Sequence, residues 1–269
     1  MQKTILLTGA TDGIGLATAN SLVAQGHTLL IHGRSPAKLD AVAAELTALN
    51  AGTVETYLAD LSDMGEVLAL AKAVSDKHDQ IDVLINNAGI LKTPNTITSD
   101  GLDIRFVVNT LAPYLLTQKL LPLLGSEGRV VNLSSAAQAP VDLSALGGDV
   151  QFSDDMAAYA QSKLAITSWS RSMAKFQENG PMIVSVNPGS LLASKMVKEG
   201  FGFDGHDIGI GADILVRAAL SEEFAAASGQ YFDNDAKRFA APHAEALDDK
   251  KAAALVEKIE VVLARLVNP

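Results

Sequence analysis

Short apolar runs alternate along the chain with longer stretches in which apolar residues, many of them alanine, recur at helical spacing. Consecutive apolar or β-branched residues are typical of buried strands, whereas recurrence every three or four positions predicts an amphipathic helix. The pattern predicts strands at 3–8, 27–32, 53–59, 81–86, 128–134, 182–186 and 229–232. It predicts helices at 13–25, 36–49, 63–78, 101–124, 156–178 and 209–221.

Regular alternation of strand and helix indicates βαβ units, whose right-handed crossovers place successive strands side by side in a parallel sheet. We therefore expect an α/β protein with a Rossmann fold: a doubly wound, mostly parallel seven-stranded sheet flanked by helices. A length of 269 residues suits one domain spanning 1–269. Two segments break the alternation, 136–155 and 189–208, and the second is expected to be a substrate loop or lid. A C-terminal helix is predicted at 247–267.

Composition supports this fold and narrows the partners. The chain is 48% hydrophobic but only 5% aromatic, as expected for a parallel sheet covered on both faces. A net charge of −10 argues against a general surface for nucleic acid or anionic lipid. The absence of cysteine excludes disulfides and thiolate chemistry. No apolar run approaches the ~20 residues of a membrane span, and a strand is predicted within about three residues of the N-terminus. We expect a cytoplasmic protein.

A glycine-rich loop, Thr8–Gly15, lies directly between the first predicted strand and the first predicted helix. Phosphate groups bind free N–H groups at a helix N-terminus, and small residues there allow a close approach. Gly9, Gly13 and Gly15 meet this need, although their spacing is not that of the standard dinucleotide fingerprint. A glycine cluster alone is more often a plain turn, but the flanking strand and helix favour a dinucleotide site.

The ends of the next strands refine the ligand, because doubly wound sheets bind ligands at the carboxyl ends of their strands. After the second strand, Gly33 and Arg34 stand where a site for NAD carries an acidic residue. Arg34 and Ser35 could instead bind a 2′-phosphate, which favours NADP over NAD; the alternative is a solvated loop arginine. Asp60 and Leu61 follow the third strand, where an adenine could lie, unless Asp60 simply caps the next turn.

Candidate catalytic residues follow the fifth strand. Tyr159 and Lys163 are four positions apart on a predicted helix, so the phenol and the ammonium share one face. A nearby cation lowers the pKa of a tyrosine and makes it a usable general acid or base. Most such pairs on helices have no function, so the pair gains weight only from its neighbours. Ser135, at the end of the fifth strand, could hydrogen-bond a substrate oxygen; alternation along the strand points Ser134 the other way.

With these motifs in order, the chain resembles the classical short-chain dehydrogenase/reductase family over nearly its whole length. Thr8–Gly15 is similar to the family's cofactor loop, and Asn86–Gly89 to its Asn-Asn-Ala-Gly segment. Asn187-Pro188-Gly189 is similar to the segment beside the nicotinamide. The catalytic set implied by the resemblance is Asn109, Ser135, Tyr159 and Lys163. The cofactor-binding set is Gly9, Thr11, Asp12, Gly13, Ile14, Gly15, Arg34, Ser35, Asp60, Leu61, Asn87, Ala88, Gly89, Tyr159, Lys163, Pro188 and Gly189.

The resemblance also implies a role for each catalytic residue. Tyr159 would transfer the proton, and Lys163 would bind the nicotinamide ribose and lower the tyrosine pKa. Ser135 would hold the substrate oxygen, and Asn109 would support a water relay. Pro113 lacks an N–H and lies four positions after Asn109, so an α-helix here would leave the Asn109 carbonyl free to accept from water.

Two departures from the family pattern concern the substrate side. Ser135 and Tyr159 are 24 positions apart, a long connection similar to that of retinol-dehydrogenase-like members. Members commonly have threonine near the nicotinamide amide after Pro188-Gly189, whereas this chain reads Ser190-Leu191-Leu192-Ala193-Ser194, in which Ser194 is the candidate substitute. Apolar residues of the irregular segments could form an apolar pocket or lid, or could pack in the ordinary way: Leu143, Leu146, Phe152, Leu191, Leu192, Met196, Phe201 and Phe203. The histidines show no metal-ligand spacing, and we expect surface or packing roles for them.

The sequence therefore predicts an NADP(H)-dependent oxidoreductase that interconverts an alcohol and a carbonyl compound. Its partner would be a small, apolar substrate, with no nucleic acid and no membrane. Two alternatives are a dinucleotide-binding regulator without turnover and an epimerase or dehydratase of the family's extended branch. The resemblance implies a homo-oligomer, dimer or tetramer, assembled through the helices that carry Asn109 and Tyr159.

Overall fold

The centre of the molecule is an eight-stranded sheet with the order β3-β2-β1-β4-β5-β6-β7-β8. The computed structural model describes residues 1–177, 179–193, 196, 198, 202 and 204–267. Its strands are β1 Thr4–Leu7, β2 Thr28–Gly33, β3 Thr53–Leu58, β4 Val83–Asn86, β5 Arg129–Leu133, β6 Met182–Asn187, β7 Tyr231–Asp233 and β8 Arg238–Ala240. The predicted α/β class and mostly parallel sheet are confirmed.

The strand count differs from the prediction, because the described sheet has eight strands and not seven. β8 pairs antiparallel with β7 across a short turn in which Lys237 has a φ of 53°. A strand of only three residues carries too little alternation to be recognised in a sequence.

The helices lie near their predicted positions. They are α1 Gly13–Ala24, α2 Pro36–Ala48, α3 Met64–Ser75, α4 Ile104–Phe106, α5 Ala112–Leu124, α6 Leu143–Gly147, α7 Asp155–Lys175, α8 Gly209–Leu220, α9 Ala244–Leu247 and α10 Asp249–Val267. Six of them begin after an aspartate whose carboxylate accepts a first-turn N–H: Asp12, Asp63, Asp103, Asp142, Asp154 and Asp248. Such caps satisfy backbone donors that a helix leaves without partners.

The predicted helix at 101–124 is not one regular helix. It begins at Ile104, and Val107–Leu111 forms a π-helical segment between α4 and α5. The Ala112 N–H donates to the Val107 carbonyl, five residues earlier. Single π turns inside α-helices are frequent at functional sites, and this one carries Asn109.

Two apolar layers enclose the sheet. Leu6, Leu30 and Leu84 are fully buried against α3, α5, α7 and α10 on one face. Ile5, Leu29 and their neighbours are fully buried against α1, α2 and α8 on the other face. Because both faces are covered, the parallel strands are apolar throughout, and their carboxyl ends meet at one edge of the molecule.

The C-terminal helix α10 lies across the outer side of α5 and α7. It buries Ala252, Leu255, Ile259, Val262 and Leu263 in the core. The Tyr114 hydroxyl and the Gln118 amide of α5 both donate to Glu260 of α10, and every residue of α7 from Ser162 to Ser170 is buried.

α10 packs on α7 and reaches α5 through Glu260, so it covers part of the surface through which self-association was predicted. The predicted route of self-association is not tested by these contacts. The oligomeric state itself stays a prediction. None of the described helices combines the length and apolarity needed to cross a bilayer.

Candidate active site

The Thr8–Gly15 loop connects β1 to the N-terminus of α1 in a conformation that requires glycine. Gly9 and Gly13 have φ values of 67° and 56°, a region that L-residues avoid. A Cβ on Gly15 would overlap the carbonyl oxygen of Gly9, and a Cβ on Gly9 would lie 2.9 Å from the Ala88 Cα. This tightly folded loop ending at a helix N-terminus fits a dinucleotide phosphate.

Side chains that lie behind the loop hold it in place. The Thr8 hydroxyl accepts from the N–H groups of Asn87 and Ala88, each at 3.1 Å, and donates to the Ile85 carbonyl. The Asn87 amide donates to the carbonyls of Thr8 and Gly9, at 2.9 and 3.1 Å. The predicted cofactor residue Asn87 therefore uses its side chain to tie the loop to the end of β4.

His32 is a residue of this region whose contacts the sequence did not indicate. Its Nδ1 accepts from the Gly9 N–H at 3.2 Å, and its Nε2 lies 3.0 Å from the Ala59 carbonyl. The position of a histidine within a predicted strand does not reveal its hydrogen-bond partners, so the sequence predicted only a surface or packing role for it. The side chain is buried and joins the loop to the end of β3.

Three charged groups lie near the end of β2: Arg34, Lys38 of α2 and Asp12 of the glycine loop. Arg34 is exposed and has no ion-pair partner in the part of the chain that the structure describes. Ser35 precedes α2 without a side-chain capping bond. In the first turn of α2, the Lys38 ammonium lies 3.4 Å from the Asp12 carboxylate. Arg34 is thus free to meet a phosphate, whereas Lys38 is shared with Asp12.

At the end of β3, Asp60 acts as a turn cap. Its Oδ1 accepts from the Ser62 N–H at 2.9 Å and from the Ser62 hydroxyl at 2.8 Å, which is the alternative foreseen for this residue. Leu61 is 6% exposed. Contact of Asp60 and Leu61 with an adenine stays a prediction.

The predicted catalytic residues come together at the ends of β4 and β5. The Lys163 Nζ donates to the Leu133 carbonyl at 2.8 Å and lies 5.6 Å from the centre of the Tyr159 ring. A Cβ on Gly89 would lie 3.3 Å from Lys163 Nζ and 3.4 Å from Asn109 Oδ1. Side chains from the π-helical segment and α7 therefore meet the end of β4 within a few ångströms.

Burial dominates the electrostatics of this cluster. It raises the pKa of Tyr159, and a hydrogen bond with Ser135 partly opposes that shift. It lowers the pKa of Lys163 to about 8. The expected lowering of the tyrosine pKa by Lys163 is therefore not found here, because loss of solvation penalises the phenolate and the ammonium alike. Tyr159 holds its proton at neutral pH.

Asn109 is fixed by three hydrogen bonds. Its amide donates to the Ile90 carbonyl at 2.9 Å and to the Ser162 hydroxyl at 3.0 Å, and its Oδ1 accepts from the Ile90 N–H at 2.9 Å. The side chain thus locks the segment after β4 against α7. The Pro113 argument assumed α-helical bonding, whereas Val107–Leu111 is π-helical, so the water relay stays a prediction without that support.

The two serines that follow β5 have different hydrogen-bond partners. The Ser134 hydroxyl lies 2.6 Å from that of Thr167, under α7. Ser135 is held through its carbonyl, which accepts from the Tyr231 hydroxyl at 3.1 Å and from the Gln138 amide at 2.9 Å. Tyr231 could not be singled out beforehand, because its contact with Ser135 depends on the pairing of β7 with β6.

The segment after β6 is anchored to the turn beyond β7. Gly189 has a φ of 120°, and the next residue, Ser190, donates its N–H and hydroxyl to Asp235 at 2.8 and 2.6 Å. The Asn187 amide also donates to Asp235. Burial works against ionisation of Asp235, but these hydrogen bonds outweigh it and lower its pKa. Ser194, Phe201 and Phe203 lie outside the described residues.

Part of the predicted apolar pocket is core. Leu146 is fully buried, and Phe152 packs on Phe106 with ring centres 5.9 Å apart. Leu143 lines a cavity of about 230 Å³ together with Leu164 and Ser168 of α7. Those residues lie on the side of the helix away from Tyr159, since five or nine positions correspond to roughly 140° or 180° of rotation. Leu143 therefore lies behind the site, whereas Leu146 and Phe152 pack in or against the core.

Comparisons with known proteins agree with this geometry. Residues 3–201 match the family model described as short chain dehydrogenase. The chain is 31% identical to retinol dehydrogenase 13 of Homo sapiens over 264 residues, covering 90% of this chain and 80% of that protein. It is 33% identical to retinol dehydrogenase 12 of Bos taurus over 257 residues, covering 90% and 81%.

Solved structures are similar over most of the chain. An uncharacterized protein from Mycobacterium paratuberculosis has a TM-score of 0.80 at 28% identity, covering 97% of this chain and 93% of that chain. A metagenomic short-chain oxidoreductase in complex with NADP has a TM-score of 0.62 at 28% identity, covering 81% and 90%. The strand ends that carry the candidate site thus belong to a fold shared with these proteins.

Proposed function

The chain belongs to the short-chain dehydrogenase family, and we propose that it is an NADP(H)-dependent oxidoreductase that interconverts an alcohol and an aldehyde or ketone. Because its relatives include retinol dehydrogenases 12 and 13, we propose that the substrate is apolar. The observation that carries the proposal is the meeting of Ser135, Tyr159 and Lys163 at one edge of the sheet, beside the glycine loop.

Each side chain of this group has a defined task. Tyr159, which keeps its proton at neutral pH, donates it to the oxygen of a carbonyl substrate as that oxygen gains charge. Ser135 stabilises the same oxygen through its hydroxyl. Lys163 offers N–H groups from a buried position, where a hydrogen bond to a ribose hydroxyl is stronger than in water. NADPH, when bound, supplies the hydride.

The preference for NADP rests on the charges at the end of β2. Gly33 and Arg34, and not an acidic residue, stand at the end of β2 itself, and Arg34 is exposed without an ion-pair partner among the described residues. Arginine binds phosphate through two parallel N–H bonds. The similar metagenomic oxidoreductase, whose structure holds NADP, supports the same assignment.

The test is turnover with a defined cofactor. The purified chain is mixed with NADPH or NADH and a panel of apolar aldehydes and ketones, and the absorbance of the reduced nicotinamide is followed. We expect oxidation of NADPH with at least one carbonyl compound and a lower rate with NADH. Binding of NADPH without turnover of any compound would favour a regulator, and sugar-nucleotide conversion without net cofactor consumption would favour an epimerase.

A matched pair of variants tests the role of Arg34. Arg34→Ala should weaken NADPH binding roughly tenfold and leave NADH binding unchanged, because it removes a charge-assisted contact to the extra phosphate. Arg238→Ala on β8, the far edge strand of the sheet, is the control and should change neither affinity. A wild-type preference for NADH would contradict the assignment of NADP.

A further inference from the structure

His32 occupies a position between the two backbone segments that form the loop side of the cofactor site. It is the penultimate residue of β2 and is 3% exposed. On one side lies Gly9 of the glycine loop, and on the other lies Ala59, which follows β3. One imidazole therefore spans the distance between the loop that faces phosphate and the segment predicted to lie near adenine.

The two hydrogen bonds determine the protonation state of this ring. A backbone N–H can only donate, so the Nδ1 atom that faces Gly9 carries no hydrogen. A carbonyl oxygen can only accept, so the Nε2 atom that faces Ala59 carries one. The bonds at 3.2 and 3.0 Å are satisfied together only by the neutral tautomer with its hydrogen on Nε2.

The surroundings of the ring agree with a neutral imidazole. Burial lowers the pKa of His32, and this outweighs the hydrogen bond to Ala59 and the negative charge of Asp60, which both raise it. Tyr57 is its partner in register on β3. On the loop side the charged residue is Asp12, whose carboxylate is directed to the Gly13 N–H and to Lys38.

We propose that His32 is a positioning residue for the dinucleotide, holding the glycine loop in its binding conformation only while its imidazole is neutral. The idea rests on the proposed function, since it presumes that a dinucleotide binds the Thr8–Gly15 loop. A second hydrogen on Nδ1 would face the Gly9 N–H, donor against donor. Gly9 has little room to adapt, because its backbone packs against Ala88 and its carbonyl against the first turn of α1. Protonation therefore shifts the loop and weakens binding.

Calorimetric titration with NADP⁺, which tolerates acid better than NADPH, tests this at about pH 7.5, 6.5, 5.5 and 4.5. His32→Asn places an acceptor near the Gly9 N–H but does not titrate, and His32→Leu removes the acceptor. The 2′-phosphate of the ligand also titrates in this range, so the informative quantity is the difference in pH dependence between wild type and His32→Asn.

His27→Asn is the matched control. His27 precedes β2 at the opposite end of the sheet, is also buried, and accepts from the Lys3 N–H through Nδ1 at 3.1 Å. It makes the same kind of bond on the same strand, far from the loop. A general effect of removing a buried histidine would appear in both variants.

Because burial lowers the pKa of His32, the effect should grow towards the lowest pH, and we expect wild type and His27→Asn to lose at least about fivefold more affinity than His32→Asn between pH 7.5 and 4.5. His32→Leu should bind roughly tenfold more weakly at every pH, as expected for loss of one buried hydrogen bond. Equal pH dependence in wild type and His32→Asn would overturn the proposal.

A second measurement does not depend on a folded variant or on a ligand. In the ¹⁵N-labelled wild-type protein, the amide resonance of Gly9 should shift with the titration of His32, whereas that of Lys3 should follow His27. A Gly9 resonance that ignores the titration of His32 would overturn the coupling. Wild type that shows this coupling but binds neither NADP⁺ nor NAD⁺ would instead refute the proposed function.

Discussion

The two ends of the candidate cleft are built on different physical principles. At the loop end, formed by Thr8–Gly15, His32–Ser35 and Ala59–Leu61, the backbone lines the site. The side chains that matter most there, Thr8, His32 and Asn87, lie behind that backbone and hold it. At the reaction end, formed by Asn109, Ser135, Tyr159 and Lys163, side chains from separate elements are themselves the working groups.

This difference predicts which kind of substitution each end tolerates. The loop end should be sensitive to added volume, because its glycines touch other backbone atoms. The reaction end should be sensitive to the loss of single functional groups while its fold persists. The reason is that α7, which carries Tyr159 and Lys163, is held in place by the buried residues from Ser162 to Ser170. Substitutions at the loop end should therefore weaken dinucleotide binding more than they lower turnover. Substitutions at the reaction end should lower turnover more than they weaken binding.

The largest expected effect is that of Tyr159→Phe at the reaction end. Loss of the phenol removes the proton donor and should lower turnover about 10³-fold, within the range typical of general acid catalysis. NADPH affinity and thermal stability should be unchanged, since the ring remains. Steady-state rates and calorimetric binding measure the two quantities. A parallel loss of affinity and turnover would show that the two ends are not separable.

The reverse pattern is expected for Gly15→Ala at the loop end. The new methyl group would overlap the Gly9 carbonyl, so the loop must open, and we expect about a hundredfold weaker dinucleotide binding and a loss of about 1–3 kcal/mol in stability. Gly65→Ala is the control, because Gly65 also lies in the first turn of a helix but only meets the Asp63 side chain. Equal affinities of the two variants for NADPH would contradict the volume argument.

Lys163→Met separates function from stability within the reaction end. Folding lowers the pKa of this lysine from 10.5 to about 8, so the fold disfavours its charged form. That penalty is fully present below about pH 8 and vanishes above the unfolded value. Relative to the variant, the wild type should therefore gain about 2 kcal/mol of stability between about pH 7 and about pH 9.5. Urea unfolding at both values measures this difference, and the variant should be inactive at both.

A wild type that loses stability relative to Lys163→Met as the pH rises over that interval would contradict this prediction. Such a sign would mean that the folded protein favours the ammonium, through its bond to the Leu133 carbonyl, more than burial disfavours it. The ammonium of Lys163 would then be stabilised by the folded protein alone, and would not need a bound ligand to offset the cost of its burial.

The same contrast explains what the sequence could and could not predict. The glycine loop is a local pattern, so its residues and its place between β1 and α1 were predictable from a few adjacent positions. Ser135, Tyr159 and Lys163 were found because each lies at a recognisable point of a strand or helix. The partners of His32, the bond of Tyr231 to Ser135, and the bonds of Asn109 to Ile90 and Ser162 join residues far apart in sequence. No local periodicity encodes such contacts.

The surface that the C-terminal helix covers could not be predicted for a related reason. The amphipathic pattern of residues 247–267 predicted a helix but not the surface that it covers. Likewise, Leu143, Leu146 and Phe152 were recognised as apolar, yet an apolar residue in a loop can line a pocket or fill a core with the same sequence signature. The packing of α6 against α10 decides for the core.

The smallest expected effect concerns Asp235→Asn, outside both sets of residues but next to the reaction end. Asp235 accepts from the Ser190 N–H and hydroxyl, so it fixes the segment that follows Pro188-Gly189. An asparagine keeps one oxygen acceptor and the size of the side chain, so we expect only a two- to threefold rise in KM, equivalent to less than about 1 kcal/mol, with kcat little changed. Amide exchange of residues 189–193 should accelerate in this variant and not in Asp76→Asn, which alters an exposed ion pair at the end of α3. Faster exchange with an unchanged KM would show that this wall of the cleft does not contact the substrate or cofactor. Slower turnover with unchanged exchange would mean that Asp235 acts on the reacting groups directly and not through the segment that it holds.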